Sequence, residues 1–290
     1  MTAVATTAPP RPAAAARRKL RPAPLEYGRR TWLRAVMVVS FIFLYAPIVT
    51  LIAFSFNNSK RNVTWEGFTL DYYVKALNNT ALHDTLINSM IVAFWSTLAS
   101  TIIGSLLGVA LQRFRFPLKG PYEGLIHLPI VIPEVCMAAA MLVFFAKFVG
   151  IPFGLFTITA SHIAFSFPFV AVVVRSRMAG FDESLEEASR DLGANPWQTF
   201  FNVTLPYMMP GVVAGALLAF TLSLDDFLIT FFVSGPSSTT FPVKIYSMVR
   251  QSVTPEVNAA STMLILVTLT VTAIGMWFQS RSGKKSVGHG

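Results

Sequence analysis

The sequence predicts an all-α membrane protein with six transmembrane helices, and three observations lead to that fold class. Only 13% of its 290 residues are charged, whereas a soluble domain usually carries about 25%. Five runs without any charge exceed the roughly 20 residues that a helix needs to cross the hydrocarbon core. A sixth apolar run, at about 125–148, contains one carboxylate, Glu134. Because a backbone in lipid must satisfy its own hydrogen bonds, and the alternation of a membrane barrel is absent, these runs are predicted as helices.

The apolar runs divide the chain into a membrane domain and two tails. Residues 1–30 are rich in Ala, Pro and Arg and are predicted to be a disordered basic tail. The membrane domain is predicted at 31–281, followed by a second tail at 282–290. The six spans are predicted at about 32–56, 86–111, 125–148, 155–175, 208–233 and 259–279.

The basic residues predict the orientation in the membrane. Six spans put both termini on one side, and 17 of the 23 Lys and Arg residues lie in segments on that side. The positive-inside rule makes it the cytoplasmic side. Topology and anionic lipid therefore account for the net charge of +9, which is no evidence for nucleic-acid binding.

No pattern in the chain indicates enzymatic chemistry. One cysteine and four scattered histidines show no metal-ligand spacing. A phosphate-binding loop of the form GxxxxGK[ST] is absent, so no ATP or other cofactor is expected to bind this chain by that route. The sequence thus predicts a transport subunit with no catalytic site and no metal site.

The predicted loop 176–207 is the longest internal cytoplasmic segment and is polar. Ser184 and Glu187 have the spacing of a capping box, Gly193 can end that helix in a left-handed conformation, and Asn195 can cap a second one. Two short helices joined at Gly193 are therefore predicted. The first is acidic, so anionic lipid should repel it, and a protein partner explains it better than the membrane surface does.

A motif in this loop resembles the cytoplasmic signature of importer-type ABC permeases. The chain has Glu187-Ala188-Ser189, then Gly193, then Val203-Thr204-Leu205-Pro206 at the spacing of that signature. The resemblance implies a coupling helix that docks into a groove of an ATPase subunit. The residues that it assigns to ATPase coupling are Glu186, Glu187, Ala188, Ser189, Gly193, Ala194, Pro196, Leu205 and Pro206.

A narrower resemblance suggests the substrate. The stretch Ser223–Ala259 is similar to the second permease of spermidine/putrescine importers, and Trp65–Leu77 is similar to the first outer loop of the wider family. The resemblance implies the six-helix fold of a type I ABC importer permease in the cell membrane of a prokaryote. It implies three kinds of partner: two ATPase subunits that bind ATP and Mg, a second related permease, and an extracytoplasmic polyamine-binding protein.

Three carboxylates fall within the predicted spans: Glu134, Asp225 and Asp226. Ionisable groups at membrane depth usually face a polar cavity, and a negative path favours a cation. Adjacent helical residues diverge by about 100°, so one aspartate is expected to line the path. The other would pair with a neighbouring chain or cap a backbone break.

The surroundings of the carboxylates leave two roles open for Glu134. Pro129 and Pro133 should kink or open the third span, which favours a cavity there. The alternative is a structural role, in which Glu134 bonds freed backbone groups or Lys147. Ammonium groups also bind aromatic faces, and the rings predicted beside the substrate path are Phe227, Tyr246 and Trp95.

Other functions fit the same sequence features. Within the same class, the chain could serve a type I permease for thiamine or ferric ion. An ATP-independent secondary transporter would have to use the same three carboxylates as a coupling-ion site, and no internal repeat is evident. A membrane scaffold that transports nothing would not explain carboxylates at membrane depth.

Overall fold

The described part of the chain is almost entirely helical. A computed structural model describes residues 31–59 and 64–287; the tail predicted at 1–30 lies outside them. The α-helices in these residues are α1 (Thr31–Phe54), α2 (Asp71–Asn78), α3 (Thr80–Arg113), α4 (Lys119–Val131), α5 (Glu134–Val143), α6 (Leu155–Met178), α7 (Ser184–Asp191), α8 (Pro196–Thr199), α9 (Leu205–Asp225), α10 (Leu228–Val233), α11 (Phe241–Gln251) and α12 (Pro255–Val287). Two π-helical segments, Phe144–Val149 and Phe200–Thr204, continue α5 and α8.

The described helices supply five candidate membrane spans, or six if one bent pair counts as a single span. The candidates are Thr31–Phe54, Thr80–Arg113, Leu155–Met178, Pro196–Asp225 and Pro255–Trp277, together with the bent pair Lys119–Val131 and Glu134–Val149. Large apolar side chains cover much of their outer surface. Such a surface suits lipid or neighbouring membrane helices rather than water.

The chain divides into two compact units, residues 1–50 and residues 51–290. The described part of the first unit is the greater part of α1, which contains Pro47 and has no buried residue. The second unit holds all the other helices and both groups of candidate functional residues.

The third predicted span is broken where its prolines predict a distortion. The axes of α4 and of the helix that starts at Glu134 differ by 106°. Pro133 is the N-cap residue of α5, with extended backbone angles. Since proline cannot donate a backbone hydrogen bond, the chain turns here, and Glu134 lies in the first turn of the new helix.

The fifth span begins earlier than the sequence predicts and is interrupted before its predicted end. Helical structure runs without interruption from Pro196 to Asp225, so the second loop helix and the span form one element. A proline in a helix clashes with the carbonyl four residues earlier. For Pro206 that residue is Asn202, which lies in the wider π-helical segment. At the other end, the helix stops at Asp225 and restarts as α10 at Leu228.

Close packing of small residues joins α3, α6 and α9. A Cβ atom on Gly104 would lie 2.6 Å from the carbonyl oxygen of Phe167, and one on Gly108 would lie 2.7 Å from that of Ala171. On α9, a Cβ atom on Gly215 would lie 2.9 Å from Val170. Small residues let helix backbones approach each other in membranes, where no hydrophobic force drives association. The three helices therefore form a tightly packed core, with α6 in contact with both others.

A second apolar cluster holds the two broken spans together. Ala138 of α5, Ile158 of α6 and Ile229 of α10 are all buried in it, together with Val92, Phe145 and Val233. The breaks before Glu134 and after Asp225 are therefore on elements that pack against each other.

We predict that Gly104→Ala destabilises the helix core. The added methyl group would meet backbone atoms of α6, and such overpacking typically costs about 1–3 kcal/mol. Gly124→Ala in α4 is the matched control, because a Cβ atom there meets nothing within 4 Å and the gain in helix propensity is the same. Thermal unfolding in detergent should show a lower melting temperature for Gly104→Ala alone. Equal melting temperatures would contradict the close packing of α3 on α6.

Candidate functional site

The polar loop folds into the two short helices that the sequence predicts. Gly193 separates α7 from α8 and has φ of +86°, a left-handed conformation that glycine adopts readily. Asn195 caps α8: its side chain accepts from the backbone of Gln198 at 2.9 Å, and the Gln198 side chain accepts from the Asn195 backbone at 2.9 Å. Pro196 occupies the first turn of α8.

The start of α7 differs from the prediction. The capping box of Ser184 and Glu187 is wrong, because Ser184 is already the first helical residue and its backbone N–H donates to Asp182 Oδ1 at 3.0 Å. Hydrogen bonds from the side chain and backbone of Ser184 lower the pKa of Asp182. Asp182 therefore keeps its negative charge at the N-terminal end of α7, where the helix dipole favours it.

One carboxylate anchors the loop to the membrane helices. Glu186 is buried, and both of its oxygens accept from the guanidinium group of Arg113, the last residue of α3, one contact being 2.8 Å. The hydroxyl of Thr204 also donates to Glu186, and Arg190 lies 3.6 Å away. A bidentate Arg–carboxylate pair fixes geometry as well as charge, so α7 is held against the end of α3.

The exposed part of the loop combines acidic with apolar groups. The acidic residues are Glu183, Glu187 and Asp191, and the large apolar ones are Leu185, Leu192, Trp197 and Phe201. Leu192 is 90% exposed and Trp197 73%. We call these seven residues the loop face. Exposed apolar groups of this size usually mark a contact with another molecule.

The residues assigned to coupling lie on different sides of the loop. Exposed positions are Glu187, Ala188, Gly193, Pro196 and Pro206; partly buried ones are Ser189, Ala194 and Leu205. Glu186 points inward. Ser189 lies 3.3 Å from the hydroxyl of Thr199, a contact that joins α7 to α8.

Asp226 caps the break in the fifth span. It accepts from the backbone N–H groups of Ile229 at 3.2 Å and Thr230 at 2.8 Å, and from the Thr230 hydroxyl at 2.7 Å. These backbone groups start α10 and have no helical partner of their own. Of the two roles that the sequence leaves open for the second aspartate, Asp226 therefore takes the cap of a backbone break.

Asp225 and Glu134 are less buried than Asp226. Asp225 is exposed at the end of α9, whereas Glu134 is partly buried in the first turn of α5. Glu134 starts α5, and α5 packs against α10, the helix that Asp226 caps. The two helix breaks, with their three carboxylates, therefore lie on elements that contact each other. No ion pair joins Glu134 to Lys147 within the described residues.

Two of the three aromatic residues predicted for the path lie beside the break. The ring centroid of Phe227 is 4.5 Å from that of Tyr246 on α11 and 5.4 Å from that of Phe231. Phe231 and Tyr246 are themselves 6.3 Å apart. Trp95, in contrast, contacts Phe94 at 5.3 Å and no ring of this cluster among the described residues. Its place in the path stays a prediction.

Two residues that hold these sites in place, Arg113 and His162, are not predicted from the sequence. In the sequence, Arg113 is one basic residue among 23, and it is 73 positions away from Glu186. His162 is one of four histidines that are scattered along the chain. Its position within an apolar span was the available signal, since ionisable side chains in membrane helices are rare and usually have a partner in the protein.

Comparison with known proteins identifies related sequences. The family model described as "Binding-protein-dependent transport system inner membrane component" matches residues 100–286. The chain is 42% identical over 235 residues to the spermidine/putrescine transport system permease protein PotC of Escherichia coli strain K12, over 81% of this chain and 89% of that protein. It is 38% identical over 265 residues to the putrescine transport system permease protein PotI of the same strain, over 89% and 94%.

Solved structures show the same fold. A bacterial ABC transporter involved in the import of the acidic polysaccharide alginate matches with a TM-score of 0.70 at 18% identity, over 86% of this chain and 96% of that one. The inward-facing MetNI methionine ABC transporter matches with a TM-score of 0.57 at 20% identity, over 73% and 97%. The predicted fold class, an all-α membrane protein with the fold of ABC importer permeases, is confirmed.

We predict that Arg113→Ala loosens the loop from the membrane helices. Removing one partner of a buried ion pair typically costs roughly 3–5 kcal/mol. The lower part of that range is expected, because Arg190 and Thr204 remain beside Glu186. Arg115→Ala is the control, since Arg115 is exposed and in no ion pair within the described residues. Limited proteolysis should cut the loop 182–200 faster in Arg113→Ala only, and Glu186→Gln added to it should restore part of the protection. Equal cleavage of both single variants would refute the anchor.

Proposed function

This chain belongs to the family of binding-protein-dependent transport system inner membrane components, and from that membership we propose that it is the polyamine-conducting permease subunit of an ATP-driven importer. It is a multi-pass membrane protein and a transport subunit. A binding protein outside the membrane delivers spermidine or putrescine, and the path forms between this chain and a second, related permease. Both termini lie in the cytoplasm of a prokaryotic cell, as the basic residues predict.

The observation that carries the substrate class is the carboxylate cluster at the two helix breaks. Asp225 is exposed two residues before Phe227, whose ring forms a group of three with the rings of Phe231 and Tyr246. A linear polyamine has spaced ammonium groups, which bind both carboxylates and aromatic faces. Identity of 42% and 38% to permeases named for spermidine/putrescine and putrescine transport supports the same substrate class. An anion such as sulfate or phosphate would be repelled by this cluster.

The loop face is the proposed contact with the ATPase subunits. Anionic lipid at the inner membrane surface attracts basic segments and disfavours acidic ones, so Glu183, Glu187 and Asp191 argue against burial in the membrane surface. Leu192 and Trp197 offer apolar anchors to a protein groove. ATP and Mg are bound by those subunits. ATP-driven closure of the ATPase pair moves α7, and α7 moves α3 through Glu186 and Arg113.

We expect spermidine-loaded binding protein to stimulate ATP hydrolysis in liposomes that contain this chain and its partner subunits. Asp225→Asn should reduce that stimulation at least tenfold, because the exposed negative charge at the break is lost. Asp84→Asn, which removes an exposed carboxylate at the outer end of α3, should leave it within twofold of the native value. The readout is the hydrolysis rate with loaded minus unloaded binding protein.

Two outcomes would count against this assignment. Stimulation that survives in Asp225→Asn would keep polyamine as the substrate and remove Asp225 from the path. An assembly that hydrolyses ATP but responds to no polyamine would contradict the substrate class and favour thiamine or ferric ion.

We expect Gly193→Pro to abolish binding of the ATPase subunits while the helices stay inserted in the membrane. Proline cannot adopt a φ of +86°, and it lacks the N–H that Gly193 donates to the carbonyl of Arg190 at 2.8 Å. Gly193→Asn is the matched control, since asparagine tolerates the left-handed region and keeps the N–H. Co-purification of the ATPase subunits and ATP-dependent uptake are measured together. Native uptake by Gly193→Pro would overturn the coupling role of the loop.

A further inference from the structure

A buried histidine joins both halves of the broken fifth span to α6. The side chain of His162 is 2% exposed. Its Nδ1 lies 2.7 Å from the hydroxyl of Ser223 on α9, and its Nε2 lies 3.1 Å from Asp226 Oδ2 and 3.0 Å from the Thr230 hydroxyl on α10. Both ring nitrogens therefore have partners, one before the break and one after it.

The donor and the acceptor in each of these contacts follow from the chemistry of the side chains. Asp226 is an acceptor, so Nε2 of His162 carries the proton and donates to it. Ser223 accepts from Ser96 of α3 at 2.9 Å and can donate to Nδ1. The result is a continuous chain of hydrogen bonds from α3, through α9 and α6, to the cap of α10. Fully satisfied buried networks of this kind make the local structure rigid.

The network engages both carboxylate oxygens of Asp226 and does not include the carboxylate of Asp225. Asp226 accepts two backbone N–H groups, one hydroxyl and one imidazole N–H. Asp225 is the preceding residue and is exposed, with no side-chain hydrogen bond to another residue in the described part of the chain. Because the helix ends between them, the orientation of Asp225 depends on where the cap is fixed.

We propose that His162 is a positioning residue for the substrate path: it fixes Asp226 as the cap of the break and thereby presents Asp225 to the passing cation. This role rests on the proposed polyamine transport only for the identity of the cation. The dependence of Asp225 exposure on His162 is a matter of geometry and holds for any solute. His162 itself touches no substrate, since its ring is enclosed by α6, α9 and α10.

The first test measures geometry without any substrate. In a Cys136→Ser chain, which removes the single native thiol, Asp225→Cys is reacted with a cationic thiol reagent in the assembled transporter. His162→Leu should slow that reaction at least threefold, because the cap is no longer held. His162→Gln keeps an N–H donor and should restore the rate to within twofold of the His162 form. An unchanged rate in His162→Leu would overturn the proposal, even if polyamine transport is confirmed.

The second test measures transport and separates a positioning role from general destabilisation. His162→Leu should lower spermidine uptake about tenfold and leave ATP hydrolysis without binding protein within twofold. His162→Gln should recover at least one third of the uptake. His127→Leu is the control, since His127 is exposed and bonds the Glu123 carbonyl of its own helix.

A double variant tests whether His162 acts through Asp226. In an Asp226→Asn chain, adding His162→Leu should reduce uptake by less than a further twofold, because the group that the histidine holds has already changed. Independent, multiplying losses would overturn the proposal. Failure of the native assembly to take up any polyamine would contradict the proposed function instead, and the thiol reaction would still decide the role of His162.

Discussion

The break in the fifth span depends on one interaction, the capping of α10 by Asp226. The hydrocarbon core offers no water to free backbone groups, so a membrane helix can be interrupted only where the protein supplies hydrogen-bond partners. Asp226 supplies two of them, to Ile229 and Thr230, and His162 holds the carboxylate in place. Without that cap, α9 and α10 would have no reason to separate, and Asp225 would be an ordinary residue on one face of a helix.

The two candidate sites are joined by α3, which packs against α6. Arg113 at the end of α3 binds the loop through Glu186, and Ser96 on the same helix bonds Ser223 beside the break. These positions are about 25 Å apart at 1.5 Å per residue. Gly104 and Gly108 lie between them and seat α3 against the backbone of α6. A helix packed this closely is stiff, so in the proposed coupling role a displacement of the loop would reach the level of the carboxylates through bonded contacts rather than through flexible segments.

Much of the fold could be predicted from composition and local signals, whereas the roles of neighbouring residues could not. Charge-free runs predict helices in lipid, and Gly193 and Asn195 mark the loop helices through their own backbone preferences. Asp225 and Asp226, however, are chemically identical and adjacent. Which one caps the break is decided by His162, more than sixty positions away in the chain. In the same way, the ion pair with Arg113 holds Glu186 facing inward, whereas the adjacent Glu187 stays exposed. Pairings between distant segments decide both cases, and no local pattern records them.

The division of roles between two adjacent aspartates also fits the energetics of a cation path. A carboxylate that accepts several strong hydrogen bonds is already stabilised, and a passing ammonium group gains little from it. A carboxylate without such partners at membrane depth is unfavourable until a cation arrives. The network of His162, Ser223 and Thr230 keeps the charge of Asp226 structural, and in the proposed path Asp225 is the carboxylate left to interact with the substrate. A path built in this way would attract a polyamine through one carboxylate and would still release it, because the second carboxylate is already occupied by the protein.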